Sequence, residues 1–311
     1  MGKIAFLFPG QGAQSVGMGR ELIGCGGFVA ELFQLADEVV GFPLSKMMLE
    51  GPGEALTLTE NTQPALVTTA LAAYRLIESR TSIRPDYVAG HSLGEYAAIG
   101  AAGGFSVREA IRLVRLRGLA MCEAVPPGEG SMAAMLNMEA QVVEEVCQLA
   151  AQESGGVCVP ANYNTAGQIV ISGHKAAVDR ALVLAKERGA KRCIPLSVSA
   201  PFHCPLMAPA AEKMAAALEQ IEIADLSIPL IANVTATENS VGTVVGRQLV
   251  EQVTGAVRWE SSIQRLLALG VDTFIELGTG NVLTGMMKRI DRTARAIAIN
   301  GPDDLSKLST L

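Results

Sequence analysis

Short apolar runs separated by longer amphipathic stretches set the pattern of this chain. Residues 4–8, 87–89, 228–231 and 273–275 read as buried strands, while 66–78 and 108–123 carry apolar positions at helical spacing. Strands spaced by helices predict an α/β fold with a mostly parallel sheet. Pro126-Pro127-Gly128 breaks the rhythm, because two prolines and a glycine stop the preceding helix. The next segment predicts strand 131–136, helix 139–152, strand 157–163, strand 168–172, helix 175–188 and strand 192–196. That β-α-β-β-α-β order is the ferredoxin-like pattern. A helix over 204–220 and the later strands return to the first sheet. Residues 1–127 and 197–311 are therefore expected to form the core, and 128–196 a small inserted subdomain.

Composition narrows the classes of function. The 311 residues are 49% hydrophobic and 18% charged, the balance of a globular chain. A net charge of −6 and a pI near 5.3 argue against a nucleic-acid partner. Mean hydropathy is +0.31, yet Gly, Pro or charge interrupts every apolar stretch before about 18 residues, so no membrane-spanning helix is expected. Residues 1–8 run straight into Pro9-Gly10-Gln11-Gly12, too short and too weakly basic for a signal peptide, and a cytoplasmic protein is expected. Cys25, Cys122, Cys147, Cys158, Cys193 and Cys204 form no C-x-x-C pair and read as reduced, buried thiols. The three histidines belong to no cluster at metal-ligand spacing, and no metal site is predicted.

Gly90-His91-Ser92-Leu93-Gly94 matches G-x-S-x-G, follows the strand at 87–89 and opens a helical run. A serine on such a strand-to-helix turn stands out above the sheet edge at a helix N-terminus, as a nucleophile would; a tight turn with a structural serine is the alternative. A nucleophilic serine needs a base. His91 would point away across the turn, and His174 reads as a helix cap. His203, in the proline-bracketed segment Pro201-Phe202-His203-Cys204-Pro205, is the candidate. Arg117 lies on the apolar stripe of its helix with Leu113, Val114 and Met121, whereas Arg108, Arg112 and Arg115 share another face. A buried arginine needs an anion: an internal Asp or Glu, or a substrate carboxylate gripped through two parallel hydrogen bonds. Phe8-Pro9-Gly10-Gln11-Gly12 fails as a dinucleotide loop, because Ser15 stands where the third glycine belongs. As a turn after a first strand it fits half of an oxyanion hole, with the amides of Gln11 and Leu93 converging on developing charge.

These segments, with Asn61-Thr62-Gln63-Pro64-Ala65, Arg117-Gly118, Asn162-Tyr163-Asn164, Gly278-Thr279-Gly280 and Val282-Leu283-Thr284, together resemble the malonyl-CoA:acyl carrier protein transacylases. The resemblance runs from Ile4 to about Ile299. It implies an α/β-hydrolase-like core with a ferredoxin-like insert, Ser92 as nucleophile, His203 as base, Arg117 as malonyl clamp, and Gln11 with Leu93 as oxyanion donors. It also implies that a main-chain carbonyl near Gln252 orients His203, with Asn233 nearby, and that Asn162 and Val282 belong to the substrate site. Thr254-Gly255-Ala256 departs from the family pattern, in which Asn-Pro commonly follows that glutamine. Met121 and Phe202 would wall the space beside the acyl α-carbon and favour malonyl over methylmalonyl. Implied partners are malonyl-CoA and a holo acyl carrier protein bearing the phosphopantetheine; no cofactor of its own and a monomeric state are expected. Lys186, Arg188, Lys191 and Arg192, and separately Lys288 and Arg289, are either solvated faces or docking sites for an acidic carrier. A serine thioesterase or hydrolase would use the same serine turn without needing the buried arginine, and a non-catalytic scaffold would keep the fold alone.

Overall fold

The computed structural model describes residues 2–311. Among them, ten strands form two sheets: β1 (Lys3–Phe8), β2 (Tyr87–Gly90), β3 (Gly130–Leu136), β4 (Cys158–Thr165), β5 (Gln168–His174), β6 (Arg192–Pro195), β7 (Leu230–Ile231), β8 (Glu238–Asn239), β9 (Val271–Leu277) and β10 (Arg295–Ile299). The larger sheet has the order β10-β9-β1-β2-β7-β8 and is parallel except for the β7–β8 edge. Its central strand β1 is buried from Ile4 to Phe8, as a parallel strand covered on both faces must be. The smaller sheet, β4-β5-β3-β6, is antiparallel throughout and carries the Ala140–Ser154 and Lys175–Glu187 helices. This is the ferredoxin-like order, with its own apolar cluster around Val143, Val146, Ile171 and Val178.

The two sheets meet beside the β2 end. Val257 N donates to Ala161 O and Tyr163 N to Val257 O, each at 2.9 Å, so β4 is stitched to the chain just before the Trp259–Ala268 helix.

The structure departs from the sequence expectations at several elements. The helix expected at 66–78 is Thr59–Arg80 and contains Pro64. A proline there leaves the Glu60 carbonyl without its helical donor, and Arg115 Nη1 supplies one at 2.7 Å. Thr62, Thr68 and Thr69 are buried on this helix because each hydroxyl bonds a main-chain carbonyl, which masks the apolar period. The strand expected at 228–231 shrinks to two residues, and the 204–220 helix begins as a 3-10 turn at Pro205–Met207 before Ala208–Leu218. Only Cys147, Cys158 and Cys204 are buried; Cys25, Cys122 and Cys193 are partly exposed thiols on element edges.

Candidate active site

β2 delivers the chain into the serine turn, and the Gly94–Ala101 helix carries it away. A Cβ on Gly90 would run into the main chain of Gly94, and one on Gly94 into the carbonyl of Phe8, so this crossing admits only glycine. Ser92 between them sits at φ 51 and His203 at φ 58, the left-handed region that costs a non-glycine residue energy. Two strained residues face each other here, with Ser92 Oγ 2.7 Å from His203 Nε2.

Main-chain carbonyls settle the tautomer of His203. Its Nδ1 lies 2.8 Å from Gln252 O and 3.2 Å from Gly255 O, and since carbonyls only accept, the proton is on Nδ1. Nε2 therefore keeps its lone pair toward the serine hydroxyl. Burial, and next the charge of Arg117, hold the imidazole pKa down to about 3, so the ring is neutral at rest. The segment that departs from the family pattern, at 254–256, still presents the Gly255 carbonyl to this ring.

Arg117 is 1% exposed and has no carboxylate in salt-bridge range among the described residues. Amide oxygens hold it instead. Nη1 donates to Gln63 Oε1 and Nη2 to Gln252 Oε1, both at 2.9 Å, and Nη2 also reaches Ser92 Oγ at 3.1 Å. Its Nε has no partner, and the guanidinium lies 5.8 Å from the Tyr96 ring centre. Neutral acceptors fix the fork while leaving its charge uncancelled by contact, which suits it to grip an incoming anion.

Behind the serine, one amide network braces everything. Asn233 Oδ1 accepts from Ser92 N at 2.8 Å and its Nδ2 donates to Gly90 O at 2.6 Å. Gln252 Nε2 donates to Ser92 O at 2.9 Å and to the Glu95 carboxyl. Because Asn233 occupies the serine amide, the next amide in the turn, that of Leu93, is the one open to an outside oxygen. Among the described residues the main-chain N–H groups of Leu93 and Gln11 have no acceptor, and Gln11 is anchored by its side-chain donation to Thr59 Oγ1 at 3.2 Å.

The cleft over Ser92 holds about 110 Å³ and is lined by Gln11, Gln63, His91, Leu93, Arg117, Met121, Met132, Asn162, Leu196, Val198, Phe202 and His203. That volume matches a short acyl group. Gln11, Ser92, Leu93, Arg117, Met121, Asn162, Phe202 and His203 thus come together as the sequence reading expects, with Asn233 and Gln252 just behind them. Val282 does not join them. It is 39% exposed at the start of the Val282–Ile290 helix, whose first amides are capped by Glu276. His91 turns away from Ser92 to Asn164 at 2.8 Å and packs on Trp259. His174 stands at a helix N-cap position, but its Nδ1 accepts from Val157 N at 2.9 Å instead of capping. Gln63, Met132 and Glu95 have places here that the sequence reading gave no role. Glu95 carried a faint signal, as a charged side chain set in an otherwise apolar helical run.

Comparisons with known proteins agree with this geometry. The acyl transferase domain model matches residues 5–299. A malonyl CoA-acyl carrier protein transacylase of Bacillus subtilis is 48% identical over 305 residues, 98% of this chain and 96% of that protein. The crystal structure of an acyl carrier protein S-malonyltransferase from Vibrio cholerae superposes with a TM-score of 0.95 at 42% identity, covering 98% of this chain and 99% of the other. A type II PKS acyl-carrier protein in complex with its malonyl-transacylase gives 0.95 at 40% identity, over 98% of each chain. By sequence over nearly its whole length and by fold, the chain belongs to the acyl transferase family and, within it, to the malonyl CoA-acyl carrier protein transacylases.

Proposed function

We infer that this chain moves a malonyl group from malonyl-CoA to the phosphopantetheine thiol of an acyl carrier protein, through a malonyl ester on Ser92. The observation that carries the reading is Arg117: a buried cation without a contacting carboxylate, one hydrogen bond from the nucleophile. Ser92 Oγ attacks the thioester carbonyl while its proton passes to His203 Nε2. The oxyanion is received by the amides of Leu93 and Gln11, and collapse expels CoA as its sulfur takes the proton from His203. The carrier thiol then attacks the Ser92 ester, His203 accepting the thiol proton and returning it to Ser92 Oγ. Arg117 holds the free carboxylate of the acyl group, and Gln63 and Gln252 keep its fork aimed.

Met121, Met132 and Phe202 form the apolar wall beside the acyl α-carbon, and Asn162 stands on the insert side of the cleft. We read residues 128–196 as an inserted unit that contributes that side. The exposed bases Lys186, Lys191, Arg192 and Lys288 are the proposed contacts for an acidic carrier, whereas Arg188 is engaged by Glu145 and Arg289 by Gln168. Among the described residues no helix is long and apolar enough to cross a membrane.

Intact-mass spectrometry tests the reading. The protein mixed with malonyl-CoA should gain a malonyl adduct that Ser92→Ala abolishes and that holo carrier protein removes. Release of free malonate without carrier loading would make the chain a hydrolase instead.

A further inference from the structure

Arg117 is a buried cation with no carboxylate in contact, and Glu95, 1% exposed, is a buried carboxyl with no cation in contact. One amide stands between them. Gln252 Oε1 accepts from Arg117 Nη2 at 2.9 Å while Gln252 Nε2 donates to Glu95 Oε2. The other oxygen of Glu95 accepts from Asn233 N at 3.1 Å. From the Gly242–Thr254 helix and the turn after β7, then, Glu95 meets neutral amides. Its own helix adds the Tyr96 hydroxyl, held protonated with its pKa raised to about 12 by burial, and His203 beyond Arg117 is neutral. Among the described residues Arg117 is the one cation whose charge bears on Glu95. Burial pushes the carboxyl up to about 7, against the pull of the Gln252 and Asn233 donors and of Arg117.

We propose that Glu95 is the resting counter-charge of Arg117, relayed through the Gln252 amide, and that it takes a proton from solvent when the acyl carboxylate seats on Arg117. The proposal rests on the reading that Arg117 grips that carboxylate. Before binding, the buried site holds one cation and one anion. A second anion would leave it with a net negative charge in a poorly polarisable surrounding, and one proton on a Glu95 oxygen restores the balance with no other bond made or broken. A substrate without a carboxylate brings no such demand. Glu95 is thus a positioning residue that holds Gln252, and a proton acceptor linked to substrate charge.

Titration calorimetry of the Ser92→Ala protein with malonyl-CoA at pH 8, in buffers of small and large ionisation enthalpy, reads the proton directly. An anion placed near a carboxyl typically raises its pKa by about 1 to 3, so about 0.4 to 0.9 proton should be taken up per malonyl-CoA bound at pH 8, and none with acetyl-CoA. Adding Glu95→Gln should abolish the uptake while malonyl-CoA still binds. Equal binding enthalpies in the two buffers, or uptake that persists in the Glu95→Gln protein, overturns the proposal; the buffer comparison needs no Glu95 variant to fold. Adding Arg117→Ala separates the two possible failures. If it weakens malonyl-CoA binding while the Ser92→Ala protein with Arg117 intact takes up no proton, the proposal alone falls; if binding is unweakened, the carboxylate reading falls and takes the proposal with it.

Discussion

Replacing Arg117 by alanine should change which acyl group Ser92 accepts far more than whether it accepts one. The guanidinium is fixed by Gln63 and Gln252 at 2.9 Å each and lies within 3.1 Å of Ser92 Oγ, so a carboxylate on the acyl group meets a fork already in place. Truncating one partner of such a buried charged pair costs about 2 to 5 kcal/mol, about 30-fold to 5,000-fold in kcat/KM for malonyl-CoA. Acetyl-CoA has no carboxylate to lose and escapes that cost. The fold suffers moderately, because two amide oxygens lose their donor at about 1 kcal/mol or more each, so the assay belongs well below the variant's melting point. Acylation of Ser92 is measured by quenched-flow intact mass with malonyl-CoA and acetyl-CoA in competition. The malonyl-to-acetyl ratio should fall at least 30-fold; a ratio within threefold of the parent, whatever the absolute rates, would refute the assignment of Arg117.

Phe202→Ser opens the apolar wall next to His203 and should let methylmalonyl-CoA compete with malonyl-CoA at least tenfold better, at a stability cost of about 3 kcal/mol; unchanged selectivity in a competition assay would count against that wall. Gly90→Ala forces a methyl into the Gly94 main chain and should lower stability by about 3 kcal/mol or more with loss of Ser92 acylation, and a variant melting like the parent would contradict the packing described for the serine turn. Stability should depend on pH through two opposed groups. His203, depressed to about 3, makes the unfolded chain bind more protons below its ordinary value near 6.5, so stability falls with falling pH; Glu95, raised to about 7, makes the folded chain bind more protons between about 4.5 and 7, so stability rises as pH falls through that window. In Glu95→Gln the second effect is gone, and acid destabilisation should begin near pH 6.5 rather than below 4.5. Urea midpoints measured from pH 4 to 8 check this, with parallel curves for the two proteins as the refuting result.

Much of this site is legible in the sequence because its members sit where local rules are strict. A serine between glycines after a strand, a histidine between prolines and an arginine on an apolar stripe each announce themselves within a few residues. The β-α-β-β-α-β order is equally local, since period and turn residues alternate cleanly there. What escapes is contact between distant segments. Nothing near Gln252 says that its side-chain amide will touch Ser92, Glu95 and Arg117 at once; that a carbonyl at this position faces His203 is legible only through the family resemblance. Gln63 is hidden for a different reason: its helix buries threonines whose hydroxyls bond back to the main chain, so polarity ceases to mark the surface. Val282 misleads in the opposite sense. It adjoins a motif of the resembled family, yet Glu276 uses that stretch to cap a helix, and the valine side chain faces outward.

The double service of Gln252 has a consequence for how such an enzyme can diversify. Its side chain ties the serine turn to the arginine, and its carbonyl ties the histidine, so a change at this position disturbs Ser92, His203 and Arg117 in one stroke. Variation that survives must then enter through cleft-lining side chains that make no hydrogen bond to the serine, histidine or arginine, such as Met132 and Phe202. Met132 arrives on β3 of the small sheet, so exchanging that sheet between relatives offers a route to new acyl preferences that leaves the inherited chemistry intact.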